Sequence, residues 1–330
     1  MNSELNCVHL SPLFDSGRLP LLAQPAAPGL DLTEFLAAHR EQVTELLVQR
    51  GGILFRGFGI DSPEKFDRAM HATCHEFMTY KERSSPRTLV RGQVYTSTDY
   101  PADQSIFPHN EHSYASRFPT KIAFCCVEPA KSGGETPIVD CRRVTARIPV
   151  QIRDRFRDRG GWQYVRTLSS DIGLPWQTVY QTEDKHAVEQ YCRDNDTTWE
   201  WMAEDRLRTV QIRSTTVRHP ATGEEIWFNH ATFFNVGTLP EMLRDFLLQE
   251  FGPQGLPNNT FYGDGRPYEE ETLRALQEAY LAEQLEFHWE KGDMLLLDNL
   301  LMAHARNPFE GQRSVLVIMA DAVKREALPR

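Results

Sequence analysis

The sequence predicts a mainly β fold with flanking helices. Three observations carry this. Residues 121–127, 292–297 and 314–319 are apolar almost throughout, as strands buried on both faces are. Helical patterns are confined to separate stretches near 31–50, 62–75, 144–159, 240–251 and 268–285. No repeat, low-complexity tract or linker divides the 330 residues. The expectation is one domain over residues 1–330, a β core with helices outside it and a mostly helical insertion or flanking layer near 240–285.

In chain order, residues 1–30 carry Pro20, Pro25 and Pro28 and form an extended lead-in. Asp31 caps a helix to Arg50, in which Phe35, Leu36, Val43, Leu46 and Leu47 fall near helical spacing, and Gly51 and Gly52 stop it. Residues 53–58 read as a strand. Ser62 and Pro63 suit the N-cap and first position of a helix running to about His75. Residues 94–97 are a short strand, and a loop through Pro101, Ala102 and Asp103 leads to a stretch from Phe107 to Tyr114. The apolar run 121–127 follows, then a turn at Ser132 to Pro137, a strand at 138–140 and a helix at 144–159. Residues 160–235 mix short strands with polar loops, and 214–218 and 226–229 form a hairpin about a turn at His219 to Glu225. Helices at 240–251 and 268–285 precede the last strands, at 292–297 and 314–319, with Asn299 to His304 between them.

Hydrophobic residues make up 40% and charged residues 25%, and the net charge is -10. This is the composition of a soluble globular protein, without the basic excess that nucleic acid or anionic lipid would attract. The six cysteines form no C-x-x-C pair and read as reduced, buried thiols. Met1 to Glu4 lacks a basic region, and the apolar run from Leu19 to Ala23 is too short and proline-rich for a signal core. No apolar run approaches the ~20 residues that span a bilayer. A cytoplasmic protein with no membrane or nucleic-acid partner is expected.

The chemistry centres on Phe107-Pro108-His109-Asn110-Glu111-His112-Ser113-Tyr114. On a strand, His109 and Glu111 share one face and Asn110 and His112 the other. An imidazole and a carboxylate so placed grip a metal ion, and a third His from far along the chain completes a facial triad with open positions for non-haem Fe(II). His304, between two apolar strands, is the best third ligand, because a polar side chain there needs a partner. His71 and His75, spaced i and i+4, read as ordinary helix residues, and His219 in its polar turn reads as exposed.

An iron site that activates O2 needs two electrons beyond those the substrate gives, and a chelating 2-oxo acid can supply them. Its far carboxylate then needs a fixed cation, and Arg313 offers a planar fork for it; the alternative is a surface Arg at a strand end. Thr136, in Gly133-Gly134-Glu135-Thr136, either donates to the same carboxylate or simply ends a turn. Arg306 is a second cation for the oxo acid or for substrate. Trp227 and Asn229 either line a substrate pocket or belong to the core. Asp298 and Asn299 order the loop before His304.

His109-x-Glu111, Gly133-Gly134-x-Thr136 and His304 followed by Arg313 resemble the taurine dioxygenase-like superfamily of Fe(II)- and 2-oxoglutarate-dependent oxygenases. Pro108 to Tyr114, Tyr262-Gly263-Asp264-Gly265 and His304 to Arg313 look like its SyrP-like branch, from nonribosomal peptide pathways, with clavaminate synthase a more distant likeness. The resemblance spans about residues 50–320. It implies a double-stranded β-helix, or jelly roll. It implies Fe(II) on His109, Glu111 and His304, with 2-oxoglutarate on Arg313 and Thr136, and O2 as the other cosubstrate. It also implies hydroxylation of an amino acid, free or thioester-linked to a peptidyl carrier protein, in antibiotic-type biosynthesis. The alternatives are a sulfonate or betaine oxygenase of the same superfamily, a desaturation or cyclisation by the same iron, and a non-catalytic metal-binding sensor. A closed metal site of the last kind would want a fourth protein ligand.

Overall fold

The computed structural model describes residues 5–14, 20–79, 82–85, 87–98 and 100–329. Met1 to Glu4 and Leu19, weighed above as leader residues, lie outside them. Within the described residues an eight-stranded sheet runs in the spatial order Val8–Pro12, Leu21–Pro25, Gly52–Phe55, Met294–Asp298, Arg117–Glu128, Ser314–Lys324, Val94–Thr96 and Leu89–Arg91. Its pairings are antiparallel except that of Leu21–Pro25 with Gly52–Phe55. A four-stranded sheet carries Gln284–Leu285, Ile138–Asp140, Met302–Arg306 and Ile106–His109 in that order. A mainly β jelly-roll fold with flanking helices results, as the sequence predicts.

The three apolar runs are central strands of the large sheet, and alternation explains why both faces are apolar. Ile122, Phe124, Leu295, Leu297, Val315 and Val317 point into the core shared with the smaller sheet. Their neighbours Ala123, Cys125, Met294, Leu296, Leu316 and Ile318 point to the other side, against Leu36, Leu47, Phe66 and Met70 of the N-terminal helices. Burying a side chain of this size is worth about 1.5–3 kcal/mol, so this bilayered strand set fixes the register of the whole sheet.

Several elements differ in extent. The lead-in contributes two edge strands, Val8–Pro12 and Leu21–Pro25. The first helix is two, Leu32–Ala38 and Arg40–Arg50, divided at His39. The helix expected at 144–159 is also two, Cys141–Arg147 and Val150–Asp158, because Pro149 cannot continue the first. The expected hairpin forms from Thr216–Arg218 and Glu225–Trp227. Between the jelly-roll strands Ile138–Asp140 and Gln284–Leu285 lies a longer excursion than 240–285. It includes the helices Glu241–Gly255 and Glu270–Leu281 and a second four-stranded sheet, Thr197–Trp201, Leu207–Arg213, Trp162–Leu168 and Asn259–Tyr262. In this sheet buried Thr, Gln and Arg side chains interrupt the apolar pattern, although residues 209–213, within the strand Leu207–Arg213, read as strand-like in the sequence.

Candidate active site

His304 and His109 are register partners across the antiparallel strands Met302–Arg306 and Ile106–His109, and their rings lie 4.5 Å apart. The strand ends at His109, so Glu111 arrives through a turn and not by strand alternation as expected. His112, with φ at 56°, completes that turn. The ligand atoms of His109, Glu111 and His304 all lie within 4.8 Å of one another, and all three residues are buried. Ligand atoms bound at about 2.1 Å to one ion sit within about 4.2 Å of each other, so a small closure of the cluster accepts a metal. Among the described residues the cluster has three members, which leaves coordination positions open.

Local contacts prepare these donors. Nδ1 of His109 donates to the Phe107 carbonyl at 2.9 Å, so Nε2 keeps its lone pair for a metal. Asn299 accepts from the Glu111 N–H at 2.8 Å and donates to the carbonyls of Glu111 and Pro119. Asn110 points away from the ligands and donates to the Asn299 carbonyl at 2.7 Å. Asn299 therefore clamps the turn that carries Glu111, as well as preceding His304.

Burial would push the Glu111 carboxyl up, but Arg87, foremost of the neighbouring cations and imidazoles, holds it well below the usual carboxylate range. Burial pushes the imidazoles of His109 and His304 down. An ionised carboxylate and two neutral imidazoles are the protonation states a metal requires.

Arg313 precedes Ser314–Lys324 and lines a pocket with Thr136, His109, His304, Phe124 and Ser97. Its Nε donates to the Gly134 carbonyl at 2.8 Å and another guanidinium nitrogen to Thr136 Oγ1 at 3.3 Å. The Trp289 indole also donates to Thr136 Oγ1, at 3.0 Å, so the hydroxyl accepts twice and its own proton is directed elsewhere. Gly134 has φ at 73°, and a Cβ there would meet the Arg313 side chain at 3.0 Å; this glycine permits the close approach. Among the described residues no carboxylate lies within 4.0 Å of Arg313. Burial and the nearby Arg306 push its guanidinium down to about 10. A buried guanidinium fork beside three metal-type donors has the chemistry to receive a carboxylate.

Arg306 lines both the Arg313 pocket and the neighbouring cleft. Its guanidinium donates to the carbonyls of Tyr100, Pro101 and Gln104. It holds a loop against the site and lines the cleft from there. Trp227 and Asn229 do not line the cleft, which corrects their reading as pocket residues. Trp227 is fully buried in the core against Phe156. Asn229 donates to the Thr215 carbonyl and accepts from Ala231 N–H. Trp227 ends the strand Glu225–Trp227 with its side chain in the core, and Asn229, two residues beyond that strand, ties neighbouring backbone together. His219 is buried and not exposed: Nδ1 accepts from the N–H groups of Ala221 and Thr222, and Nε2 donates to Asp298 at 3.0 Å.

Sequence reasoning passed over two site residues. Arg87, in a polar stretch without periodicity, donates to Glu111 Oε2 at 2.7 Å. His230, at the end of an apolar run as His304 is, sits 5.4 Å from the His109 ring. A cleft of about 650 Å³ opens beside these groups, lined by His109, Glu111, His230, Phe233, Leu239 and Arg306 among others.

A jelly roll with three metal-type donors beside a fork able to take a carboxylate suits the class of non-haem iron oxygenases. A family model described as "Taurine catabolism dioxygenase TauD, TfdA family" matches residues 18–319, and the chain belongs to that family. It is an Fe(II)- and 2-oxoglutarate-dependent dioxygenase that uses O2. The chain is 37% identical to dapdiamide synthesis protein DdaC of Enterobacter agglomerans, over 96% of this chain and 95% of that one. It is 30% identical to the clavaminate synthase-like protein At3g21360 of Arabidopsis thaliana, over 93% and 91%. Its fold is similar to that of PvcB from Pseudomonas aeruginosa, with TM-score 0.58, 18% identity and coverage of 100% and 99%.

Proposed function

We propose that the chain is one oxygenase domain that hydroxylates an amino-acid unit, free or tethered to a peptidyl carrier protein, during assembly of a peptide-type natural product. In this reading Fe(II) is held by His109, Glu111 and His304, and 2-oxoglutarate by Arg313 and Thr136. The observation that carries it is the convergence of three buried donors beside the buried Arg313 fork. Support for the pathway class comes from the name of DdaC, a dapdiamide synthesis protein. A PvcB structure is likewise described as an Fe, alpha-ketoglutarate dependent oxygenase from an isonitrile synthetic pathway.

When bound, the iron with its oxo acid and O2 supplies an oxidant able to break an unactivated C–H bond. The chain's own part is positioning and exclusion of water. Arg313 orients the distal carboxylate, and Thr136 donates its remaining proton to the same group. Asn299 and Arg87 hold Glu111 in place. Phe233, stacked on the His109 ring at 4.8 Å, holds that ring in place.

The test is anaerobic addition of Fe(II) and 2-oxoglutarate to metal-free protein, following the weak visible charge-transfer band of the chelate. A band weakened in His304→Ala and in Arg313→Ala is the expected result. Absence of the band in folded, iron-bound wild-type protein would overturn the assignment.

A further inference from the structure

We infer that Glu82 is a positioning residue for the metal centre: it locks the front of the segment that delivers Arg87 to Glu111, so that the second four-stranded sheet sets how firmly the chain takes Fe(II). This rests on the proposed Fe(II) ligands and adds a residue outside them.

Glu82 is 1% exposed, and its backbone is left-handed, with φ at 52°. A residue with a Cβ holds that conformation only where its surroundings enforce it. The carboxylate accepts from the Tyr191 hydroxyl at 2.8 Å and from the Gln211 amide. The Glu82 carbonyl accepts from the Tyr114 hydroxyl at 2.9 Å. Next in the chain, the Arg83 N–H donates to the Val179 carbonyl at 3.1 Å, and the Arg83 carbonyl accepts from the Arg166 guanidinium at 2.8 Å. Four of these partners, Arg166, Val179, Tyr191 and Gln211, belong to the excursion between Ile138–Asp140 and Gln284–Leu285. Its sheet is shaped for the contact. Tyr164 pairs with Gln211 and Arg166 with Thr209 across Trp162–Leu168 and Leu207–Arg213, so Arg166, Gln211 and Arg213 share one face. All three are buried, where polar groups need partners. Glu82 is the partner of Gln211, and against the effect of burial its charge favours the protonated guanidinium groups of Arg166 and Arg213.

The other end of the segment is pinned to the large sheet. The Thr88 N–H donates to Thr96 Oγ1 at 3.0 Å, and the Thr88 carbonyl accepts from the Thr96 N–H at 2.9 Å. Arg87 stands between these two anchors and donates to Glu111 Oε2 at 2.7 Å and to Thr98 Oγ1 at 3.3 Å. Tyr114 closes the frame: it lies three residues beyond Glu111 and bonds to the Glu82 carbonyl. The two segments that meet at Arg87 and Glu111 are therefore tied a second time, through Glu82. Residues that orient a metal ligand from behind carry about 10- to 100-fold of metal affinity. Glu82 directs its own carboxylate to Tyr191 and Gln211, so it acts on the centre through the placement of Arg87.

The test measures Fe(II) affinity by anaerobic equilibrium dialysis of the metal-free protein, with amide hydrogen exchange as an independent readout. Glu82→Gln and the milder Tyr191→Phe should each raise the Fe(II) Kd by about threefold or more. In both, the amides of residues 82–88 should exchange faster while those of Met294–Asp298 keep their protection. Arg87→Met should raise the Kd by about tenfold or more, and Arg87→Lys takes its place if that variant does not fold. Because Glu82 acts through Arg87, adding Glu82→Gln or Tyr191→Phe to the Arg87 variant should change the Kd by less than about twofold. Effects that multiply in the double variant overturn the inference, as does a Kd unmoved in both Glu82→Gln and Tyr191→Phe or an Arg87 variant whose Kd does not rise. In each of these cases wild-type iron binding survives and the ligand assignment stands. Wild-type protein that takes up no Fe(II) removes that assignment and this inference with it.

Discussion

Arg87 donates to Oε2 of Glu111 across 2.7 Å, and the two side chains are only 3% and 4% exposed. The same oxygen lies 3.8 Å from Nε2 of His304. The cation thus contacts the same carboxylate oxygen that neighbours His304. It keeps Glu111 ionised against the effect of burial.

Arg87→Met should destabilise the metal-free protein at neutral pH by about 3–5 kcal/mol, the cost of leaving a buried charge unpaired. The pH dependence has a definite sign. In wild type the folded-state pKa of Glu111 is depressed, so its stabilising contribution is present above the unfolded carboxylate range, about 4.3, and is lost as pH falls. In the variant, burial without Arg87 raises that pKa, so the penalty lifts as acid protonates Glu111. Denaturant midpoints measured across pH should therefore converge on acidification. A gap that stays constant or widens would show that Arg87 acts elsewhere.

Arg313→Ala should weaken 2-oxoglutarate binding by about 30-fold or more, because it removes one partner of a buried charge pair. Arg313→Lys should recover only part, since a point charge does not reproduce the fork. Wild-type affinity should hold steady through neutral pH and fall as pH rises toward about 10, where the Arg313 guanidinium begins to lose its proton. Titration of the charge-transfer band with 2-oxoglutarate measures all three.

Asn299→Ala should reduce both stability and Fe(II) affinity. The side chain makes three buried hydrogen bonds to Glu111 and Pro119, and each group left unsatisfied costs about 1–3 kcal/mol. Chemical denaturation gives the first effect and Fe(II) titration of the folded variant gives the second. Unchanged iron affinity would mean that the Glu111 turn holds its shape without this clamp.

Trp227→Phe separates core from cleft. The indole is fully buried and its Nε1 has no hydrogen-bond partner among the described residues, so the change removes packing alone. Stability should fall by roughly 1–3 kcal/mol, with Fe(II) and 2-oxoglutarate binding unchanged. Impaired cosubstrate binding in a folded variant would return Trp227 to the site.

Several features were legible in the sequence because each has a local signature. The apolar runs at 121–127, 292–297 and 314–319 announced buried strands, and those strands form the centre of the large sheet. His109, Glu111 and His304 stood out as polar groups set in or between apolar segments, and the structure gathers them. Arg313 and Thr136 also come together, with Gly134 making room. Trp227 and His219 show the limit of this reading. An aromatic beside an amide, or a histidine in a polar turn, looks the same whether it faces a ligand or the core.

The sequence by itself determined the mainly β class, the central strands and the residue types able to hold a metal and a carboxylate, because composition and two-residue alternation are properties of short segments. Only the tertiary structure decided which distant groups meet. It paired His304 with His109 across two strands, set Arg87 on Glu111, tied Arg306 to its loop and joined Ser113 to His230. These partnerships come from the long-range register of sheets and the packing of loops against them, and no local periodicity encodes which side chains will be brought within a hydrogen bond's reach.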